Sequence, residues 1–349
     1  MNLPISKYKI VAVTAFGVLI LGSFYKWAIF SRMGIVPKNI CSPQVMRNYL
    51  KQGGNPNAWR SDFDYSFPIV KCFTEIKDQN LLDWFIEKGG DLNYKFWGGS
   101  TIWTELRSPE SALILFRGVS KSNKFSASQK QSMTLKLLTK SEDIALFLLQ
   151  NGANINLRDR KGNTVLHQTL DPDVAKIAIN KGVNVNTKNN NGETPLQITK
   201  SSSVAQILID FGANIEFKDN LGNTLLHLNQ EPAVSAILIK NGIDPNVKNK
   251  QGVTILHNSW KNPKRKDLAS TLINSGADIN VQDNQGRTPL HTAVIGNTYA
   301  YYLKLLIEFG ADINLKDNQE KTPFDYARAS QKQDLIELLS SYNSSSMNQ

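Results

Sequence analysis

One phrase recurs six times in the C-terminal two thirds of the chain: Thr164-Val-Leu-His, Thr194-Pro-Leu-Gln, Thr224-Leu-Leu-His, Thr254-Ile-Leu-His, Thr288-Pro-Leu-His and Thr322-Pro-Phe-Asp. A second phrase of the form Gly-Ala-Asn/Asp-Ile-Asn keeps step with it, as at Gly152, Gly276 and Gly310. The threonines fall 30, 30, 30, 34 and 34 residues apart. Self-similarity at a period of about 33 residues predicts a stack of helical units, each burying its apolar face against its neighbours.

The residues of one unit say how it is built. In the segment 267–276, Leu268, Ala269, Leu272 and Ile273 recur at helical spacing, and Gly276 follows where a left-handed helix end is needed. The next stretch, Asp278 to Gly286, is dense in Asn, Asp and Gly and reads as a projecting turn. Thr288 then supplies a polar cap before Pro289, which is suited to a first helical position. One unit is a turn plus two antiparallel helices. The three 30-residue units are short between threonine and glycine. Their missing residues are expected between the helices, where Asp171-Pro172, Ser201-Ser202-Ser203 and Glu231-Pro232 start the second helix.

With these two phrases in fixed phase, the chain resembles the ankyrin repeat family over residues 141–339, and more faintly over residues 43–103. There Gly53-Gly-Asn-Pro-Asn, Gly89-Gly-Asp-Leu-Asn and Thr101-Ile-Trp-Thr stand at the family's turn and threonine positions. The resemblance implies an all-α repeat solenoid with β-turn or hairpin fingers. It also implies a non-enzymatic scaffold that binds a protein partner through its concave face and finger tips.

All four histidines, His167, His227, His257 and His291, lie inside the threonine phrase. Packed helices lie about 8–10 Å apart, so equivalent histidines in successive units are too distant to share one zinc. A role in holding the turn and the helix start fits better, and Gln197 and Asp325 replace histidine in two copies. The phrase residues Thr164, Thr194, Thr224, Thr254, Thr288 and Thr322 are read as structural. No phosphate loop, zinc-protease motif, nucleophile elbow or Cys-x-x-Cys is present. No catalytic residue, cofactor or metal is therefore expected. Cys41 and Cys72 are the only cysteines, which excludes a disulfide framework; two free structural thiols are the simpler expectation, and a single bridge stays open if the segment is exported.

Residues 10–25 hold no charge, and Trp27-Ala-Ile-Phe continues the apolar run past Lys26. Counted over residues 10–30 the run is long enough, at about 1.5 Å per residue, to cross a bilayer as a single helix. Two other readings stay open, a cleaved signal peptide and a buried helix capping the first repeat. Lys26, Arg32, Lys38 and Arg47 after the run outnumber Lys7 and Lys9 before it, which favours repeats on the cytoplasmic side of the membrane.

Net charge is +10. Six basic and no acidic residues fall between Arg117 and Lys140, in a segment that is either a degenerate repeat or an insertion with a mobile basic loop. A second cluster spans residues 261–266. When the repeats are aligned, the residue before the turn's Asp or Asn is Arg158, Lys188, Lys218, Lys248, Gln282 and Lys316, a basic row suited to an acidic protein surface or anionic lipid. No nucleic-acid-reading module is present, so nucleic acid is not the expected partner.

The expected organisation is a tail (1–9), an apolar membrane helix (10–30), a linker (31–42), irregular repeats with a basic insertion (43–140), regular repeats (141–340) and a disordered tail (341–349). Glu320 replaces the turn glycine of the last copy, and its finger is expected to be distorted. The functional expectation is a monomeric, membrane-tethered protein-binding scaffold. Two alternatives remain: an exported effector or membrane-associated immunity protein that binds a toxin or host protein, and an enzyme with a site in residues 43–140.

Overall fold

A computed structural model describes residues 41–56, 59–61, 66–68, 72–73, 78–92, 101–106, 108–261, 267–296 and 300–346. The apolar run at residues 10–30, and all of the second basic cluster but Lys261, lie outside them. No helix among the described residues is long and apolar enough to cross a membrane. The chain divides into two compact units, residues 1–160 and 161–349.

The first unit is helical, with α1 (Pro43–Lys51), α2 (Gln79–Glu87), α3 (Ile102–Glu105), α4 (Pro109–Lys121), α5 (Ala127–Leu138) and α6 (Glu142–Gln150). Between α1 and α2, Trp59–Ser61 and Ser66–Pro68 pair as a short antiparallel hairpin, the only paired strands among the described residues. The helices α2, α4 and α6 stack in series, and α5 packs on α4 and α6. Gly53 and Gly89 end α1 and α2 in the left-handed conformation, with φ of 82° and 88°. Both are followed by a second glycine rather than the alanine, valine or isoleucine of later repeats. The reason is steric: a Cβ on Gly54 would meet the Tyr49 ring at 2.4 Å, and one on Gly90 the Phe85 ring at 2.1 Å.

Two expectations change in this unit. The basic segment is not a mobile loop: Arg117 and Lys121 lie in α4 and Lys130 and Lys136 in α5. Ser126 opens α5 with a capping box closed by Gln129, so the segment is a degenerate repeat that keeps its helix pair without a finger. The cysteines are not free thiols. Cys41 and Cys72 form a disulfide with Cα atoms 5.0 Å apart, and Cys72 is 1% exposed. The bridge fastens the start of α1 beside Phe73, which packs on Phe85 with ring centroids 5.0 Å apart. An ion pair from Arg47 to Asp78 ties α1 to the N-terminus of α2, where Asp78 also caps by accepting the Leu81 N–H.

The second unit holds five repeats. Their inner helices are Val165–Gln168, Pro195–Ile198, Leu225–Leu228, Ile255–Asn258 and Pro289–Ile295, followed by Pro323–Ala329 of the closing pair. The outer helices are Pro172–Asn180, Ser202–Asp210, Pro232–Lys240, Asp267–Asn274, Ala300–Glu308 and the closing Gln333–Ser346. The short repeats differ from expectation. The missing residues come out of the inner helix itself, which is a single turn of 4 residues against 7 in the last two copies. One turn fixes its backbone for very few hydrogen bonds and cannot persist alone. A buried polar residue follows each truncated turn, Thr169, Thr199 and Asn229, and Ser259 takes the same place in the fourth repeat, where a 3-10 turn (Ser259–Lys261) continues the helix. Asn229 reaches the Leu196 and Thr199 carbonyls of the preceding repeat, and Ser259 donates to the Leu256 carbonyl. These side chains take up carbonyls that a longer helix would have bonded internally.

Two further expectations fall. Glu320 does not distort its finger: it takes the left-handed conformation itself, with φ of 58°, and keeps the bond from Glu320 N–H to the Asp317 carbonyl at 3.0 Å. The expected disordered tail continues the closing helix through Ser346, the helix being anchored upstream by buried Leu335 and Leu339.

Candidate binding face

In the second unit each finger is set by its Asn or Asp. The Oδ1 atoms of Asn189, Asp219, Asn249, Asp283 and Asp317 each accept the N–H groups two and four residues on, at 2.8–3.1 Å. Asp317 also accepts from the Tyr326 hydroxyl. Burial pushes its carboxyl up, but hydrogen bonds from Tyr326, Lys321 and Gln319 outweigh this and hold it below the usual carboxylate range.

The histidines join each repeat to the next. At His257, Nδ1 accepts the Thr254 N–H at 3.1 Å. Because Nδ1 accepts, the proton lies on Nε2, which donates to the Arg287 carbonyl of the following finger at 3.0 Å. The same pair of bonds recurs from His167 to Glu193, His227 to Val253 and His291 to Lys321. Both ring nitrogens are thereby used. Burial lowers the pKa of His227, His257 and His291, keeping the rings neutral. Gln197 and Asp325 do half of this work, each accepting the N–H of its threonine, Thr194 or Thr322. No group of three His, Cys, Asp or Glu residues among the described residues could hold a metal ion.

Asparagines form a second link between neighbouring fingers. Asn186 Nδ2 donates to the Gly212 carbonyl at 3.0 Å, while its Oδ1 accepts the Asn214 N–H at 2.8 Å. Asn246 does the same with Gly276 and Asp278, and Asn280 with Gly310 and Asp312. Glu216 stands at this position in the intervening finger, and a carboxylate has no N–H to offer the Gly242 carbonyl. A cleft of about 490 Å³ lies at that gap, lined on one side by residues 215–218 and on the other by Gly242, Ile243, Asp244 and Val247.

A second cleft of about 380 Å³ opens on the inner-helix side, where the helix turns are truncated. It is lined by Glu193, Ile198, Lys200, Leu228 and Glu231 among others, and Leu228 is 42% exposed. Phe217 borders both clefts. The result is a partly apolar strip across two adjacent repeats, edged by charges of both signs. Sequence reading missed this place, although the Glu216 departure from the Asn pattern was its visible signal.

The basic row is less uniform than its alignment suggests. Lys188, Lys218, Lys248 and Lys316 occupy equivalent exposed finger positions in the second unit, and Arg158 is exposed in the first. Lys248 Nζ donates to the Gln282 carbonyl at 2.7 Å, and Lys316 pairs with Glu320 at 3.0 Å. Lys218 lines the larger cleft. Lys261 of the second cluster lies 5.9 Å from the Trp260 ring centroid.

In the first unit, a cleft of about 380 Å³ between Asp83, Glu87, Lys121 and Lys124 sets carboxylates near ammonium groups. A family model for ankyrin repeats (three copies) matches residues 133–219, 168–249, 199–283, 228–301 and 256–349. No curated protein matches the chain.

Proposed function

Because the chain belongs to the ankyrin repeat family, we propose that it is a scaffold without catalytic activity, tethered to a membrane by residues 10–30, that holds a protein partner across the clefts beside Phe217. Repeats of this family suggest a protein–protein interaction scaffold, and no catalytic family is indicated. The fold alone names no partner. The observation that carries the choice of face is the break in the asparagine ladder at Glu216. It coincides with the larger cleft, with an aromatic ring shared between two clefts and with half-exposed Leu228. Rigid aromatic and apolar anchors in a partly charged rim are what a protein interface uses for affinity. The tether reading rests on the uncharged run itself, and the basic finger positions add a rim suited to acidic side chains.

The test is site-specific photocrosslinking in cells producing the full chain. A photoreactive residue at Phe217 should capture one specific protein, and the same residue at exposed Leu146 should not. Equal capture from both positions, or none from Phe217, would sink this assignment of the face.

A further inference from the structure

The two cysteines are 31 residues apart in sequence and joined in space. Three kinds of chemistry bring two cysteines together. A zinc site needs about four ligands, and no candidate ligand group exists among the described residues. All four histidines have both ring nitrogens engaged elsewhere. A redox catalyst usually presents its sulfur from a Cys-x-x-Cys pair, whereas these cysteines are 31 residues apart, Cys72 is 1% exposed and Cys41 is only partly exposed. What remains is a structural bridge, fixing the start of α1 against Phe73 and Phe85. Bridges of that kind form and persist in oxidising compartments and are kept reduced in the cytosol.

We infer that the repeats fold and act on the oxidising, non-cytosolic side of the membrane, with Cys41–Cys72 as a structural disulfide, and that the partner is a protein exposed to that same side. This reverses the side favoured by Lys26, Arg32, Lys38 and Arg47. A difference of two basic residues biases insertion only statistically, whereas a buried structural bridge is stable only where thiols are kept oxidised. Forming it removes two protons and two electrons from the paired thiols. The electrons pass to the disulfide of a thiol–disulfide oxidoreductase, which leaves as a dithiol. The membrane part of the inference rests on the tether reading above, but the compartment does not, since a cleaved export signal would deliver the same bridge.

Cells producing the full chain would be treated with protease from outside, extracted with alkaline carbonate, and assayed with a mass-adding maleimide before and after reduction under denaturing conditions. The expected result is repeats degraded in intact cells, a chain retained by the membrane pellet, and two maleimides added only after reduction. Protected repeats with two reactive thiols would overturn the inference and leave the scaffold and its tether standing. A bridged chain that carbonate releases would support the compartment and sink the tether. As a control on the role of the bridge, reductant should lower the melting temperature of the purified wild-type chain by roughly 5–10 °C. It should leave that of Cys41→Ser/Cys72→Ser unchanged. A wild type whose melting ignores reductant would count against a structural bridge.

Discussion

Phe85 occupies the space that a side chain on Gly90 would need: a Cβ there would lie 2.1 Å from the ring. The corresponding pair in α6 and its turn is Leu148 and Ala153, both buried, so a smaller residue at the first position leaves room for a methyl at the second. Gly90→Ala should destabilise the first unit by roughly 1–3 kcal/mol, the usual cost of overpacking. Phe85→Leu/Gly90→Ala should recover part of that loss. Urea denaturation of both variants checks the pair; an additive double variant would show that the ring and the glycine are independent.

Histidine 257 carries two bonds across a repeat boundary while 1% exposed. His257→Ala should cost roughly 2–4 kcal/mol, because the Thr254 N–H and the Arg287 carbonyl lose a buried partner. His257→Gln should cost less, since Gln197 already serves the threonine side of the motif. Chemical denaturation of the two variants should keep that order.

Burial lowers the pKa of His227, His257 and His291 below the ordinary value of 6.5. The unfolded chain then binds more protons than the fold once pH drops below 6.5, so stability is full above that pH and declines as the solution is acidified toward the folded values. Carboxylates such as Asp325, held down by hydrogen bonds from Thr322, add their own loss only below about 4. Denaturation midpoints at pH 7.5 and 5.5 should therefore differ. In a variant with the three histidines changed to glutamine, the difference should shrink.

Glu320 pays a conformational cost for its φ of 58°. A non-glycine residue there costs roughly 1–2 kcal/mol, and the exposed pair with Lys316 returns less than that. Glu320→Gly should raise the melting temperature by about 2–4 °C, readable by circular dichroism.

Glu216→Asn should supply the missing N–H to the Gly242 carbonyl, adding roughly 1 kcal/mol and drawing the two fingers together. Photocrosslinking through Phe217 should weaken in this variant although the protein is more stable. Retained crosslinking would place the partner elsewhere on the repeats.

The turn and helix pattern of the second unit was legible because each repeat states it again: Thr288-Pro and Gly276 carry the start and stop chemistry on their own. What was not legible depended on contacts between repeats. A four-residue deletion can be absorbed by a connection or by a helix, and only Thr169, Thr199 and Asn229, recurring five residues after each threonine, pointed to a shortened helix. The bridge was hidden similarly. A separation of 31 residues between Cys41 and Cys72 is close to one repeat period, which brings two positions side by side once the repeats stack, so a bridge that the sequence allowed only for an exported segment becomes visible once the stacking is known. Glu320 was misread because finger geometry was assigned to its glycine, whereas the Asp317 side chain holds that loop with or without one.

The bridge also sets how force would travel. Tension applied through the chain ahead of Cys41 would pass along a covalent path to Cys72, and residues 42–71, with α1 and the hairpin, would carry none of it. A pull on an anchor upstream would therefore be felt first beyond residue 72, and the opening element of the fold would stay slack until the disulfide was cut.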